Sequence, residues 1–194
     1  MKALIKKDLY VLTRQMRIFL VMIVVFTLLP GASMTVFAVV YTAMLPYTAL
    51  AYDERSKWDQ IAAMLPYTNA DIVLAKYLLG YLMVGAAAAL NLAAKLVTHS
   101  ELGVILLGFC MGLIMMAVTL PLMFRFGVER GRMFFIVLMV FLGVGGASLV
   151  TGISESPNTQ SMEHLLIMVL PAAAVVLNAI SIPISILLYG RRNR

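Results

Sequence analysis

The run IFLVMIVVFTLLPGASMTVFAVVYTAMLPYTALA, residues 18–51, carries no charged side chain. How often it crosses a bilayer decides the topology of everything that follows. A helix needs about 20 apolar residues to span the hydrocarbon layer, so the run is long for one span and short for two. Pro30-Gly31, followed by Ser33, stands a third of the way in. These residues predict a tight turn between a short first span over about 18–29 and a second over about 34–51.

Working outward, four further apolar stretches fit spans at about 77–97, 102–123, 133–151 and 165–188. Charge arbitrates the count. With six spans both termini share one side, and 14 Lys and Arg side chains fall there against Lys95 alone opposite. With one long helix over 18–51 the split becomes 6 inside to 9 outside, which breaks the positive-inside rule. Six spans are therefore expected, with cytoplasmic loops at 52–76 and 124–132. The outer face then holds a turn near Pro30, a link at 99–101 and a loop at 152–164, bearing Glu101, Glu155 and Glu163.

Composition agrees. Of 194 residues 62% are hydrophobic and only 12% charged, with a mean hydropathy of +0.97. Soluble domains are about 25% charged, so an all-α integral membrane protein is expected. The net charge of +6 then reflects basic inner loops and not nucleic-acid binding. The opening segment, MKALIKKDLYVLTRQMR, is too charged for a signal peptide. Ile5, Leu9, Leu12 and Met16 recur at helical spacing among Lys6, Lys7, Asp8 and Arg14, which fits an amphipathic interfacial helix; a merely basic pre-membrane tail is the alternative.

Several chemistries are missing from the sequence. Cys110 stands alone, so neither a disulfide framework nor a cysteine zinc site is expected. His99 and His164 fall at the outer boundary without H-E-x-x-H, and no metal site is expected. The sequence has no G-x-x-x-x-G-K-[ST]; Gly127-Val128-Glu129-Arg130-Gly131 has the wrong glycine spacing to replace it. No Asp or Glu occupies a span centre, where an ion-coupled transporter would place one. Mid-span polar groups are Asn91, Asn178, Ser181 and Ser185, readable as interhelical hydrogen bonds or as substrate contacts. Gly85, Ala89 and Ala93 share a face, as do Gly108 and Gly112, which suits close helix packing. Ala-Met-Leu-Pro-Tyr-Thr occurs at 43–48 and at 63–68, but the flanks differ and no duplicated architecture follows.

The first inner loop reads AYDERSKWDQIAAMLPYTNADIVLAKY, residues 51–77. Ser56 and Asp59 have capping-box spacing and predict a short helix with Trp58, Ile61, Ala62 and Leu65 on one face, stopping before Pro66. Thr68 and Asp71 repeat the signature and predict the start of the next helix. Such a helix could follow a soluble partner, or lie at the interface with Trp58 in the headgroups.

The run from Ala51 to Asp59, then Leu65-Pro66, Asp71-Ile72-Val73 and Lys76-Tyr77, resembles the signature of small permease subunits of bacterial type-2 ABC exporters. A second block, Pro121 to Gly127 with Glu129-Arg130-Gly131-Arg132, and the entry segment Lys7-Asp8-Leu9-Tyr10 are similar as well. The first hairpin is shorter than in such proteins. The resemblance implies a bacterial cell-membrane permease that pairs with a second copy or a sister permease and binds a cytoplasmic ABC ATPase subunit. ATP and Mg would reach it only through that ATPase, and the cargo would be a peptide or another amphipathic or hydrophobic compound. It implies a coupling helix around Trp58, and hence an ATPase-coupling set of Asp53, Glu54, Arg55, Lys57, Trp58, Ile61, Leu65 and Pro66. Arg125, Glu129, Arg130 and Arg132 are the charged residues of the second cytoplasmic loop. Two rival classes are a non-transporting membrane immunity or assembly protein and an ion-coupled secondary transporter.

Overall fold

Leu4, Asp8 and Leu12, one helical turn apart, line the buried face of α1 (Lys2–Gln15) in the computed structural model, which describes residues 2–15, 17–29, 32–62, 64–98, 102–155 and 159–192. The stripe expected from Ile5, Leu9 and Leu12 is thus rotated: Ile5 is half-buried and Leu9 exposed, while Met16 lies outside the described residues. Apolar periodicity misplaces the face because a charged residue, Asp8, points inward to a buried partner.

α2 (Arg17–Leu28) has 12 residues. At ~1.5 Å per residue it reaches about 18 Å, well short of the ~30 Å hydrocarbon layer. It packs on α3 (Ala32–Thr42) through Phe26, whose ring meets Phe37 and Tyr41 edge-on at 5.3 and 5.8 Å between centroids. α3 runs into α4 (Leu45–Arg55) through a tightened turn, where the amides of Ala43 and Met44 donate to the carbonyls of Val40 and Tyr41, three residues back. Pro46 causes this, because it has no N–H to offer the carbonyl of Thr42. The stretch Met34–Arg55 still has the length and hydropathy of a span.

The short α5 (Trp58–Ala62) is followed by three long helices, α6 (Asn69–Thr98), α7 (Leu102–Glu155) and α8 (Thr159–Arg192). α7 is broken at Gly127, with φ 79° and ψ 173°. Residues eight apart in a straight helix are about 12 Å apart. Yet Phe126 stacks on Phe134 at 5.9 Å between centroids, and a Cβ on Gly131 would lie 2.7 Å from Met123 Cγ. The chain therefore folds back at Gly127, giving arms 102–126 and 128–155. The segment expected as a loop at 124–132 is instead helical on both sides of a single-residue reversal. That backbone conformation is open essentially to glycine alone, which is why one residue suffices.

Among the described residues every element is helical, and four stretches are long and apolar enough to cross a membrane: Met34–Arg55, Asn69–Ala94, Leu102–Leu138 and Met168–Arg191. The core lies between α3, α6 and the arms of α7. A Cβ on Gly108 would meet Val36 Cα at 3.2 Å, so this glycine allows the backbones of α3 and α7 to approach closely. Gly85, by contrast, faces open space, with Ala89 and Ala93 exposed beside it. Phe141, Met168, Val175 and Leu187 point outward, as lipid-facing side chains of a bundle would.

Candidate functional site

The middle of α1, the end of α4 and the first turns of α6 meet in a closed ring of four alternating charges. Lys76 Nζ is 2.7 Å from Asp8 Oδ2 and 2.5 Å from Asp53 Oδ2. Lys7 Nζ closes the ring, 3.1 Å from Asp8 Oδ1 and 2.6 Å from Asp53 Oδ1. The side chains of Lys76 and Asp8 are each only 2% exposed, and the ring opens toward solvent on the Lys7 edge, at 24%. Four formal charges sum to zero, and each carboxylate meets both ammonium groups. This balance is what makes burial tolerable, since an unpaired charge there would carry its full desolvation penalty.

Asp53, expected among residues facing an ATPase, is a buried member of this ring instead. Its neighbour Glu54 turns to another element: its Oε2 accepts the amide N–H of Val128 at 2.8 Å, the first amide after the Gly127 reversal. Arg55 and Lys57 are exposed.

The capping box expected at Ser56 does not form in that sense. The Ser56 hydroxyl donates backward to the carbonyl of Asp53 at 3.2 Å, and its amide donates to the carbonyl of Tyr52, so Ser56 ends α4. Lys57 takes a left-handed conformation, φ 53°, and turns the chain into α5. The second capping box does form. Asp71 N–H donates to Thr68 Oγ1 at 3.2 Å, while Asp71 Oδ2 accepts from the Thr68 amide and hydroxyl at 3.1 and 2.7 Å. Those bonds hold the Asp71 carboxyl, at the exposed entry to α6, below its ordinary value.

α5 does not present one undivided apolar face. Trp58 is half-buried against the core, with Lys7 Nζ 4.1 Å from its ring centroid, and Ala62 is buried. Ile61 (50% exposed), Met64 (87%) and Leu65 (40%) point away, and Pro66 is exposed beyond them. At the neighbouring reversal, Arg125, Glu129, Arg130 and Arg132 are exposed, with the Arg125 guanidinium 5.1 Å from the Phe126 ring centroid.

Within the spans, polar groups bolt helices together. Ser181 Oγ donates to the carbonyl of Ala117 at 2.6 Å. With that hydrogen committed, the Tyr77 hydroxyl donates to Ser181 Oγ at 2.5 Å and accepts from Ser185 at 2.8 Å. Asn178 accepts from the Tyr81 hydroxyl at 2.9 Å and donates to the carbonyls of Leu113 and Ala174 at 3.1 and 2.8 Å. α6, α7 and α8 are thus joined through Asn178 and Ser181. Asn91 differs: it donates to the carbonyl of Ala87, one turn back in its own helix. Tyr77 stands in the sequence reading only as part of the Lys76-Tyr77 pair and Tyr81 not at all, although their i, i+4 spacing is visible there.

A multi-pass helical bundle with a charged corner, a short helix standing out from it and apolar outer walls is the architecture of an integral membrane protein. The chain belongs to the ABC-2 family transporter proteins, whose sequence profile matches residues 3–190. No curated protein and no solved structure matches it. It is accordingly an ABC transporter permease, a membrane component of transport.

Proposed function

We propose that this chain is the membrane-spanning subunit of an ATP-driven exporter in a bacterial cell membrane. It works with a cytoplasmic ABC ATPase subunit, which binds ATP and Mg, and with a second copy of itself or a sister permease. The observation that carries this reading is α5: a short helix rooted in the bundle through Asp53 and Glu54, with Ile61, Met64 and Leu65 left exposed beyond it. A firmly rooted helix with an apolar outer edge suits a soluble partner that pushes on it. Trp58 belongs to the root in this reading, linking α5 to Lys7 and α1, and Ile61, Met64 and Leu65 make the ATPase contact. Exposed Arg125, Glu129, Arg130 and Arg132 supply the second contact and its alignment.

Six spans with both termini cytoplasmic follow from the 14 to 1 distribution of Lys and Arg. α2 and the two arms of α7 then serve as the first, fourth and fifth spans, the first one thin or tilted. The open Gly85, Ala89 and Ala93 face suits close contact between permeases. The cargo is amphipathic or hydrophobic, such as a peptide, because the described mid-span polar groups are spent in bonds within the bundle.

The test is co-expression with a cytoplasmic ABC ATPase, sought first in the neighbouring reading frames, followed by co-purification and measurement of stimulated ATP hydrolysis. Ile61→Asp and Leu65→Asp should abolish association, because a charge facing an apolar groove removes contacts usually worth ~2 kcal/mol or more. Trp58→Ala should retain association and lose stimulation; Met168→Ala, on the outer wall, should change neither. Undiminished stimulation by both aspartate variants would refute the docking assignment. Transport driven by an ion gradient without nucleotide would favour a secondary transporter, and protection without any ATPase an immunity protein.

A further inference from the structure

Asp53 and Glu54 are consecutive at the end of α4, yet they hold different parts of the molecule. Successive side chains on a helix point about 100° apart. Asp53 enters the ring that carries α1 and α6, and Glu54 reaches α7. The end of α4 therefore cannot rotate about its axis without releasing one of the two. Only residues 55–57 separate this point from α5, and the left-handed Lys57 fixes the exit angle.

The far end of the Glu54 contact is the break in α7. In an unbroken helix the Val128 amide would donate to the carbonyl of residue 124. The extended ψ of 173° at Gly127 breaks that ladder, and the Glu54 carboxylate takes the freed amide. Acceptance of a helix's first N–H by an anion favours both the bond and the dipole of the following arm. The Glu54 carboxylate thus holds the first amide after the reversal, alongside the Phe126–Phe134 stack that also closes it, and its bond can be on or off.

We propose that Glu54 is a positioning residue that ties the direction of α5 to the angle of the Gly127 reversal, so that displacement of α5 is delivered to both arms of α7. This rests on α5 being the element that a partner moves. The coupling itself is a property of the chain alone and is tested without any ATPase.

The full-length protein in nanodiscs is compared by hydrogen exchange at the Val128 amide, with the Asp71 amide as an internal reference. Glu54→Ala should speed exchange at Val128 by about tenfold or more, since hydrogen bonds to charged groups are the stronger class. Glu54→Gln, which keeps a carbonyl acceptor, should stay nearer wild type than Glu54→Ala. Lys57→Pro abolishes the left-handed turn, because the pyrrolidine ring holds φ negative, and so redirects α5; it keeps the Glu54 side chain but removes the Lys57 amide that donates to the Glu54 carbonyl at 3.2 Å. It should speed Val128 exchange as well, and Lys57→Pro should add nothing once Glu54→Ala is present, so the double variant exchanges as Glu54→Ala alone does. That non-additivity is the signature of transmission through Glu54. If Lys57→Pro yields no folded protein, Trp58→Ala displaces α5 from its inner side and is judged the same way. Exchange at Val128 indifferent to the α5 change, or effects that multiply, would overturn the proposal. Loss of ATPase binding with this pattern intact would instead count against the docking reading alone.

Discussion

Lys76→Met is the most demanding test of the charged corner. Methionine matches the length of the lysine stem but removes the ammonium group that lies 2.7 Å from Asp8 and 2.5 Å from Asp53. Two carboxylates then share Lys7, and the ring passes from zero net charge to −1. Removing one partner from a buried ion pair costs about 3–5 kcal/mol, because the remaining charge stays buried without compensation. An exposed pair would cost only about 0–1 kcal/mol. The two figures do not overlap, so unfolding of the purified chain in mixed detergent, followed by helicity, separates them. The prediction extends to a cycle. Asp8→Asn in the Lys76→Met background leaves Lys7 and Asp53 as a balanced pair, and should recover part of the loss. Coupling energies between groups in direct contact run about 0.5–3 kcal/mol. The ring also anchors α1, so Lys76→Met should expose Lys6 and Arg14 to trypsin sooner than in wild type. A loss under about 1 kcal/mol, the ceiling for an exposed pair, or strict additivity with Asp8→Asn, would refute the buried-ring argument.

Other predictions test separate features. Gly127→Ala forces a side chain into a conformation essentially reserved for glycine, and should destabilise the chain by about 1–3 kcal/mol in the same unfolding assay. Tyr77→Phe removes the bonds to Ser181 and Ser185; interhelical hydrogen bonds in bilayers average ~0.6 kcal/mol with a maximum of about 1.7, so a loss in that range is expected. Asp71 has its carboxyl pulled below the ordinary 3.8 by Thr68, so its contribution is present above that pH and fades as pH falls through the lowered value. The stability gap between wild type and Thr68→Val should therefore narrow on acidification below pH 3.8, and a gap that widens would contradict the sign. For topology, single cysteines at Ser56, Arg130 and Ser156 in a Cys110→Ala background should label with a membrane-impermeant reagent in intact cells only at Ser156. Arg130 is chosen over Gly131, where a Cβ would collide with Met123.

Helices were legible wherever one local rule sufficed. The Thr68–Asp71 box starts α6 because all its partners lie within four residues, and Pro66 separates α5 from α6 for the same reason. The repeated Ala-Met-Leu-Pro-Tyr-Thr shows where local rules stop. At 43–48 the hexapeptide bridges α3 and α4, and Leu45, Pro46, Tyr47 and Thr48 are buried. At 63–68 the same residues lead to an exposed turn at Met64, Leu65 and Pro66. Identical local chemistry meets different neighbours: Tyr47 stacks on the distant Phe135 at 5.4 Å between centroids, a partner that no window on the sequence reveals.

The corner was hidden for the same physical reason. Asp53, Glu54, Arg55 and Lys57 read as one solvated cluster because adjacent charges on a helix end usually are. Lys7-Asp8 and Lys76 read as separate basic and acidic punctuation around spans. Neutralisation occurs only when α1, α4 and α6 converge, and the pairs that achieve it are 68, 46 and 23 residues apart. One clue was present: Asp8 falls in register with Leu4 and Leu12, so the buried stripe of α1 contains an acid. An acid in an apolar stripe requires a buried cation from elsewhere. Among the lysines at the charged end, Lys76 sits at the start of an apolar span, where the backbone is already being drawn inward. The same logic separates Asp53 from Glu54. A helix end that must satisfy a buried lysine on one side and a broken helix on the other needs two acids side by side, and a sequence alone displays them as a single run of charge.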